Sequence, residues 1–137
     1  MSYSLEEKYE LAKKAYDNAY VPYSNFRVGA VLILKNGETI SGSNVENASY
    51  GLTNCAERSA LFAAYSKGLR KDDIKELVIL ANPVKGITSP CGACRQVITE
   101  LMNMDATITL INLKKEYQIL SVSELLPYAF TSGDLHE

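Results

Sequence analysis

At 137 residues with 47% hydrophobic content, the chain suits one compact domain over residues 1–137, which buries roughly two-thirds of its unfolded surface. A formal charge of −2, from 14 basic and 16 acidic residues, leaves none of the basic excess that draws a protein to phosphate backbones or anionic lipid, and fits a small neutral substrate better. The N-terminal residues lack the basic start and apolar run of a signal peptide, and no later stretch has the uninterrupted apolar length of a membrane span, so a cytoplasmic protein is expected.

Residues 5–19 predict a first helix: Leu5, Tyr9, Ala12 and Tyr16 recur at helical spacing, and Ser4-Leu5-Glu6-Glu7 reads as a capping box. Val21-Pro22-Tyr23-Ser24-Asn25 breaks it, because proline and the residue before it resist helical geometry. Two strands follow over 28–34 and 39–45, joined by Lys35-Asn36-Gly37-Glu38, whose Asn-Gly pair suits a type I′ hairpin turn. The first strand is apolar almost throughout, which predicts cover on both faces and an inner place in the sheet. Residues 44–54 show no period and read as a loop. Helix resumes over 55–67 with Gly68 as its stop, and Ala56, Ala60, Ala63 and Ala64 keep it slim enough to pack closely on the sheet or on another subunit.

Glu76 to Ala81 reads as a buried strand with parallel-sheet character. Ser89 is expected as cap and Pro90 as first residue of a helix running to about Met104, with Val97, Ile98, Leu101 and Met102 inward. Strands over 106–111 and 117–120, a helical turn over 121–126 and a weakly structured tail complete the chain. Helix, hairpin, helix, strand, helix, strand, strand argues an α/β sandwich with helices packed on a mixed sheet.

Every cysteine lies in one of two short stretches, Asn54-Cys55-Ala56-Glu57-Arg58 and Ser89-Pro90-Cys91-Gly92-Ala93-Cys94-Arg95. Read together they make a zinc site. A structural zinc is normally closed by four protein ligands, whereas three leave a position open, so Cys55, Cys91 and Cys94 point to a catalytic ion. Glu57 is the candidate proton shuttle, since attack by an activated water needs a nearby group to take and return its proton. Both segments lie at predicted helix starts, where the positive dipole end favours thiolate over thiol.

Plainer readings stand beside these. Cys55 alone would pass as a buried hydrophobe, and Cys91-Gly92-Ala93-Cys94 as a redox dithiol; the third cysteine beside a glutamate favours the metal. Glu57, with Asn54 as cap, occupies the third helical position, where a glutamate commonly completes a capping box. Three thiolates around one dication leave a charge of about −1, and Arg58 and Arg95, each within a turn of a ligand, are candidates to compensate it, Arg58 the stronger. Asn44 and Glu46, two apart on an extended segment, present an amide and a carboxylate to one side, as sugar hydroxyls would require, or simply end a polar strand. Phe26 and Phe130 are candidates to sandwich a flat ring, or serve packing. His136, the only histidine, reads as a solvated tail residue, with completion of the metal shell from another subunit as its alternative role.

The sequence closely resembles the small cytidine deaminases with a three-cysteine zinc site. The resemblance rests on Val21-Pro22-Tyr23-Ser24-Asn25-Phe26, Gly42-Ser43-Asn44-Val45-Glu46-Asn47-Ala48-Ser49-Tyr50, Cys55-Ala56-Glu57-Arg58, Pro90-Cys91-Gly92-Ala93-Cys94-Arg95-Gln96 and Leu125-Leu126-Pro127-Tyr128-Ala129-Phe130. It implies a single-domain α/β/α sandwich with a mixed sheet, one zinc per subunit, and a homotetramer whose sites are shared between subunits. It further implies that Phe26, Asn44 and Glu46 contact a nucleoside, that the Ala56 backbone meets the base, and that Ala48, Tyr50 and Phe130 arrive from neighbouring subunits. Arg58 would hydrogen-bond ligand sulfurs, and Glu57 would relay protons during hydrolytic release of ammonia from cytidine or 2′-deoxycytidine in pyrimidine salvage. A deaminase of a modified aminopyrimidine nucleoside, such as a blasticidin-type antibiotic, is the nearest alternative; a structural zinc or redox thiol protein is more distant.

Overall fold

The computed structural model of the protein describes residues 2–135; His136 lies outside them. Helix α1 (Leu5–Asp17) opens on the expected capping box, in which the Ser4 hydroxyl accepts from the Glu7 N–H at 3.1 Å and the Glu7 carboxylate accepts from the Ser4 N–H at 2.9 Å. It ends two residues before the predicted 19, because the main chain of Tyr20 is claimed elsewhere: its N–H donates to the Asn44 carbonyl (3.0 Å) and its carbonyl accepts from the Glu46 N–H (2.9 Å).

Strands β1 (Val28–Leu34) and β2 (Thr39–Ser43) form the expected antiparallel hairpin, with a different turn. Only Gly37 of the Asn-Gly pair has positive φ, at 92°, and its N–H donates to the Leu34 carbonyl while the Leu34 N–H donates to the Glu38 carbonyl. This is a three-residue loop closed by a left-handed glycine rather than a two-residue type I′ turn. Strand β3 (Ile74–Ala81) pairs antiparallel with β1, β4 (Thr107–Ile111) lies parallel to β3, and β5 (Tyr117–Ser121) returns antiparallel, giving the mixed sheet β2-β1-β3-β4-β5.

The continuous apolarity of β1 and β3 follows from cover on both faces. Ala30, Leu32, Leu34, Leu77 and Ile79 face helices α2 (Ala56–Ser66), α3 (Gly92–Leu101) and the single turn α4 (Val122–Leu125). Val31, Ile33, Val78 and Leu80 face α1 on the other side. Each of these valines, leucines and isoleucines, fully buried, contributes roughly 1.5–3 kcal/mol. The result is the expected α/β/α sandwich.

Two glycines set how closely the helices lie. A Cβ on Gly42 would stand 2.5 Å from both the Ala56 carbonyl and the Ala60 nitrogen, so the slim face of α2 rests directly on β2. A Cβ on Gly29 would meet the Tyr16 nitrogen at 2.3 Å, which places α1 equally close on β1. Alanines 56, 60 and 64 are wholly buried against the sheet, so the sheet is what their small size serves. Gly68, with φ 87°, ends the α2 segment as predicted.

Candidate metal centre

The starts of α2 and α3 carry the three cysteines. Both helices start later than predicted: Cys55, one residue after Asn54, is the N-cap of α2 (φ −78°, ψ 154°), and Cys91, two residues after Ser89, is that of α3 (φ −68°, ψ 169°). Asn54 donates instead to the Ser59 hydroxyl at 2.9 Å. Pro90 precedes the helix rather than opening it, and α3 stops at Leu101 rather than Met104. An extended N-cap leaves its side chain clear of the helix, which lets Cys55 and Glu57 serve one place although positions two apart on a helix do not share a face.

The sulfurs of Cys55, Cys91 and Cys94 all lie within 4.8 Å of one another, and no further histidine, cysteine or carboxylate among the described residues joins them. Zn–S bonds of about 2.3 Å at tetrahedral angles set sulfurs roughly 3.8 Å apart, so the trio fits a zinc ion with little adjustment, and soft thiolates are the ligands zinc prefers. Cys94 is buried, Cys55 half-buried and Cys91 exposed.

From the protein's own groups, the Cys55 thiol is pulled down to about 5, chiefly because Cys94 donates to its sulfur; burial opposes this, and the bond from Arg58 lowers it further. Cys94 is pushed up in turn, by donating to Cys55 and by burial. One thiolate is therefore ready at neutral pH, and a cation must displace the proton that Cys94 holds. The Arg58 Nη2 donates to the Cys55 sulfur at 3.3 Å, and its Nε is buried with no partner among the described residues. Arg95 does not reach the sulfurs. Its Nε donates to the Pro90 carbonyl (2.8 Å), one terminal nitrogen to the Leu125 carbonyl (2.8 Å) and the other to the Ser89 hydroxyl (2.6 Å), tying the segment before Cys91 to α4.

Glu57 is 5% exposed, and burial raises its pKa. It forms no capping box: α2 has no side-chain cap bond, and Glu57 is the second helical residue. A carboxyl that forgoes solvent and capping, beside thiols at the floor of a pocket, suits proton transfer.

That pocket has a volume of about 230 Å³. Cys55, Ala56, Glu57 and Cys91 line it together with Phe26, Val28, Asn44, Ile79, Ala81, Thr53, Asn54 and residues 88–90. Of the expected substrate contacts, Phe26, Asn44 and Ala56 line it directly, while half-buried Glu46 and exposed Ala48, Tyr50 and Phe130 do not, Phe130 being held at its carbonyl by the Gln96 side chain at 2.8 Å. Phe26 and Phe130 thus do not sandwich anything within one chain's pocket. Val28, Ile79, Ala81, Thr53 and Thr88 escaped the sequence reading, since apolar strand ends and loop threonines carry no spacing that separates pocket walls from core.

Asn44 and Glu46 do point the same way, but toward the chain itself. The Asn44 side-chain Oδ1 accepts from the Val28 N–H (2.9 Å) and its Nδ2 donates to the Phe26 carbonyl (2.9 Å). Glu46 accepts from the N–H groups of Tyr23 (3.0 Å) and Ser24 (3.1 Å) and from the Ser24 hydroxyl. These bonds, the Ser24 hydroxyl first, hold the Glu46 carboxyl below the usual carboxylate range.

Fold and site together define a metal-dependent hydrolase of the α/β/α class, with a three-thiolate centre and a buried acid at two helix starts. The family model for the cytidine and deoxycytidylate deaminase zinc-binding region matches residues 2–110, and the chain belongs to that family. It is 52% identical over 126 residues to a cytidine deaminase of Halalkalibacterium halodurans, covering 92% of this chain and 93% of the relative. With a cytidine deaminase of Sporosarcina psychrophila it shares 48% identity, over 90% of this chain and 89% of that one. A crystal structure of cytidine deaminase from Burkholderia pseudomallei superposes with a TM-score of 0.89 at 44% identity, covering 95% of this chain and all of the other.

Proposed function

We propose that the protein, as one domain, catalyses zinc-dependent hydrolytic deamination of cytidine and 2′-deoxycytidine to uridine and 2′-deoxyuridine, with release of ammonia, in pyrimidine salvage. The observation that carries this reading is the buried Glu57 beside the cysteine cluster, in a largely apolar pocket that Phe26 and Asn44 also line. Cys55, Cys91 and Cys94 would hold the zinc, which when bound supplies the positive charge that makes water nucleophilic at neutral pH.

Glu57 takes a proton from the attacking water and delivers it to the ring nitrogen beside the amino-bearing carbon. The C–O bond forms there, the C–N bond breaks, and the carboxyl relays the remaining proton to the departing ammonia. Its raised pKa suits both halves of that relay, since a carboxyl that is too acidic would hold no proton to give back. Ala56 lines the pocket, where its backbone would meet the base edge, and Arg58 offsets thiolate charge through Cys55. Asn44 keeps one amide proton, and Glu46 about one acceptor position, beyond the bonds already described, enough to receive a sugar hydroxyl.

The exposure of Ala48, Tyr50 and Phe130 away from their own chain's pocket supports a homotetramer in which neighbours complete each site. A cytoplasmic setting, where thiols stay reduced, suits the centre. No helix among the described residues is long and apolar enough to cross a membrane.

The test is ammonia release from cytidine by the zinc-loaded protein beside Glu57→Gln at equal zinc content. Release by the parent and its loss by at least about a hundredfold in the variant are expected. An inactive zinc-replete parent would overturn the reading, and release from an aminopyrimidine antibiotic nucleoside instead would replace the substrate.

A further inference from the structure

Phe26 stands at the pocket on a loop whose position no regular strand pairing explains. Both of its main-chain polar groups are held by side chains: its N–H donates to the Ser24 hydroxyl at 3.0 Å, and its carbonyl accepts from the Asn44 amide at 2.9 Å. Between Ser24 and Phe26 the chain reverses through Asn25, which is left-handed at φ 60° and whose N–H closes a turn onto the Val21 carbonyl at 3.0 Å. Asparagine enters this conformation at lower cost than most residues, so the reversal is locally permitted but not locally enforced. What enforces it is side-chain bonding.

Ser24 is the joint of that bonding. A hydroxyl has one proton and two lone pairs. Here the proton goes to the Glu46 carboxylate, and a lone pair receives the Phe26 N–H. Glu46 in turn hangs on a short extended segment: Val45 exchanges both main-chain hydrogen bonds with Asn54, the residue before the Cys55 ligand, at 3.0 Å each. A connected path therefore runs from the metal-binding helix start through residues 44–46 to Ser24 and the aromatic wall of the pocket.

We propose that Ser24 is a positioning residue for the deamination, its hydroxyl coupling the Glu46 carboxylate to the Phe26 backbone so that the aromatic wall and the carboxylate meet the nucleoside together. Neither Ser24 nor Glu46 lines the pocket of this chain, so the influence of the hydroxyl runs through Phe26, which does, and through the orientation it gives the Glu46 carboxylate beside that loop. Removing the hydroxyl leaves the Phe26 N–H without its acceptor and the carboxylate without one of its three donors. Binding suffers more than chemistry, because Glu57 and the sulfurs are untouched.

This inference rests on the deaminase reading for its kinetic arm. Zinc-loaded Ser24→Ala is compared with Ser24→Thr, Phe26→Ala and the Ser24→Ala/Phe26→Ala double variant on cytidine. Loss of one charge-assisted bond at an exposed site is expected to raise KM about tenfold with kcat within about twofold, and Ser24→Thr, which keeps the hydroxyl, is expected to restore KM to within about threefold of the parent. In the Phe26→Ala background the further penalty of Ser24→Ala shrinks to less than about twofold, as expected when one residue acts through another. Unchanged KM in Ser24→Ala, a loss confined to kcat, or an equal penalty in both backgrounds would each overturn the proposal. An arm independent of substrate is amide hydrogen exchange over residues 21–27, which is expected to accelerate in Ser24→Ala and not in Ser24→Thr. Unchanged exchange overturns the coupling even if cytidine proves not to be the substrate, whereas an inactive parent with accelerated exchange sinks the deaminase reading and leaves the coupling standing.

Discussion

Glu57 shows what burying a carboxyl, as the proposed chemistry requires, costs in stability. Burial raises its pKa, so its contribution to stability is full below the ordinary carboxylate range, near pH 4, and is lost as the pH rises through the folded value. Glu57→Gln keeps the shape and removes the ionisation. The zinc-stripped variant is therefore expected to melt above the zinc-stripped parent at about pH 8, with the gap closing toward about pH 4; a gap of opposite sign, or one independent of pH, would show that the carboxylate is stabilised by its surroundings. The same residue explains one limit of sequence reasoning. With Asn54 as cap, Glu57 would have been an ordinary capping glutamate, and only the backbone of Cys55 shows that the helix starts a residue later. For a related reason the sequence leaves Arg95 open, as the weaker candidate beside Arg58: adjacency to Cys94 says nothing of direction, and its guanidinium is consumed by Pro90, Ser89 and Leu125.

At the scale of elements, the site depends on where α2 rests. Gly42 lets the first turns of that helix touch β2, and any Cβ there must push them away from the sheet. Gly42→Ala is therefore expected to displace Cys55 and Glu57, lowering zinc retention and activity together with the melting temperature. Gly29→Ala makes an equally close clash, but against α1 on the opposite face, where the cost falls on stability. Destabilisation of about 1–3 kcal/mol is expected for each. The contrast is the test: zinc per chain, measured on the folded fraction, should fall in the Gly42 variant and hold in the Gly29 variant, and equal retention would separate α2 packing from metal binding. The elements themselves were largely legible, since alternating cover on β1 and β3 leaves a plain apolar signature. Their ends were less so. Helix α1 stops early because Tyr20 bonds residues 44 and 46, which no local pattern announces.

For the whole molecule, exposed Tyr50, Tyr128 and Phe130, at 88, 106 and 57% accessibility, are large apolar side chains without cover in one chain. With the proposed shared sites, sedimentation should find a tetramer at working concentrations. Phe130→Ala should lower kcat/KM about tenfold or more, although Phe130 lies outside its own chain's pocket. Co-assembly of Glu57→Gln chains with Phe130→Ala chains should recover activity above either alone, because some pockets then combine an intact floor with an intact neighbour; a monomer, or hybrids no better than their parents, would remove the sharing. The sequence by itself determined the layers, the inner strands and which three sulfurs and which carboxyl are candidates for one site, because periodicity and the chemistry of cysteine and glutamate are local properties. Only the tertiary structure decided that Cys55 and Cys91 are the caps, that Asn44 and Glu46 grip the Phe26 loop, and that Phe130 stays out of its own pocket. Each of these depends on hydrogen bonds and packing between segments far apart in the chain, which spacing along one strand of sequence does not encode.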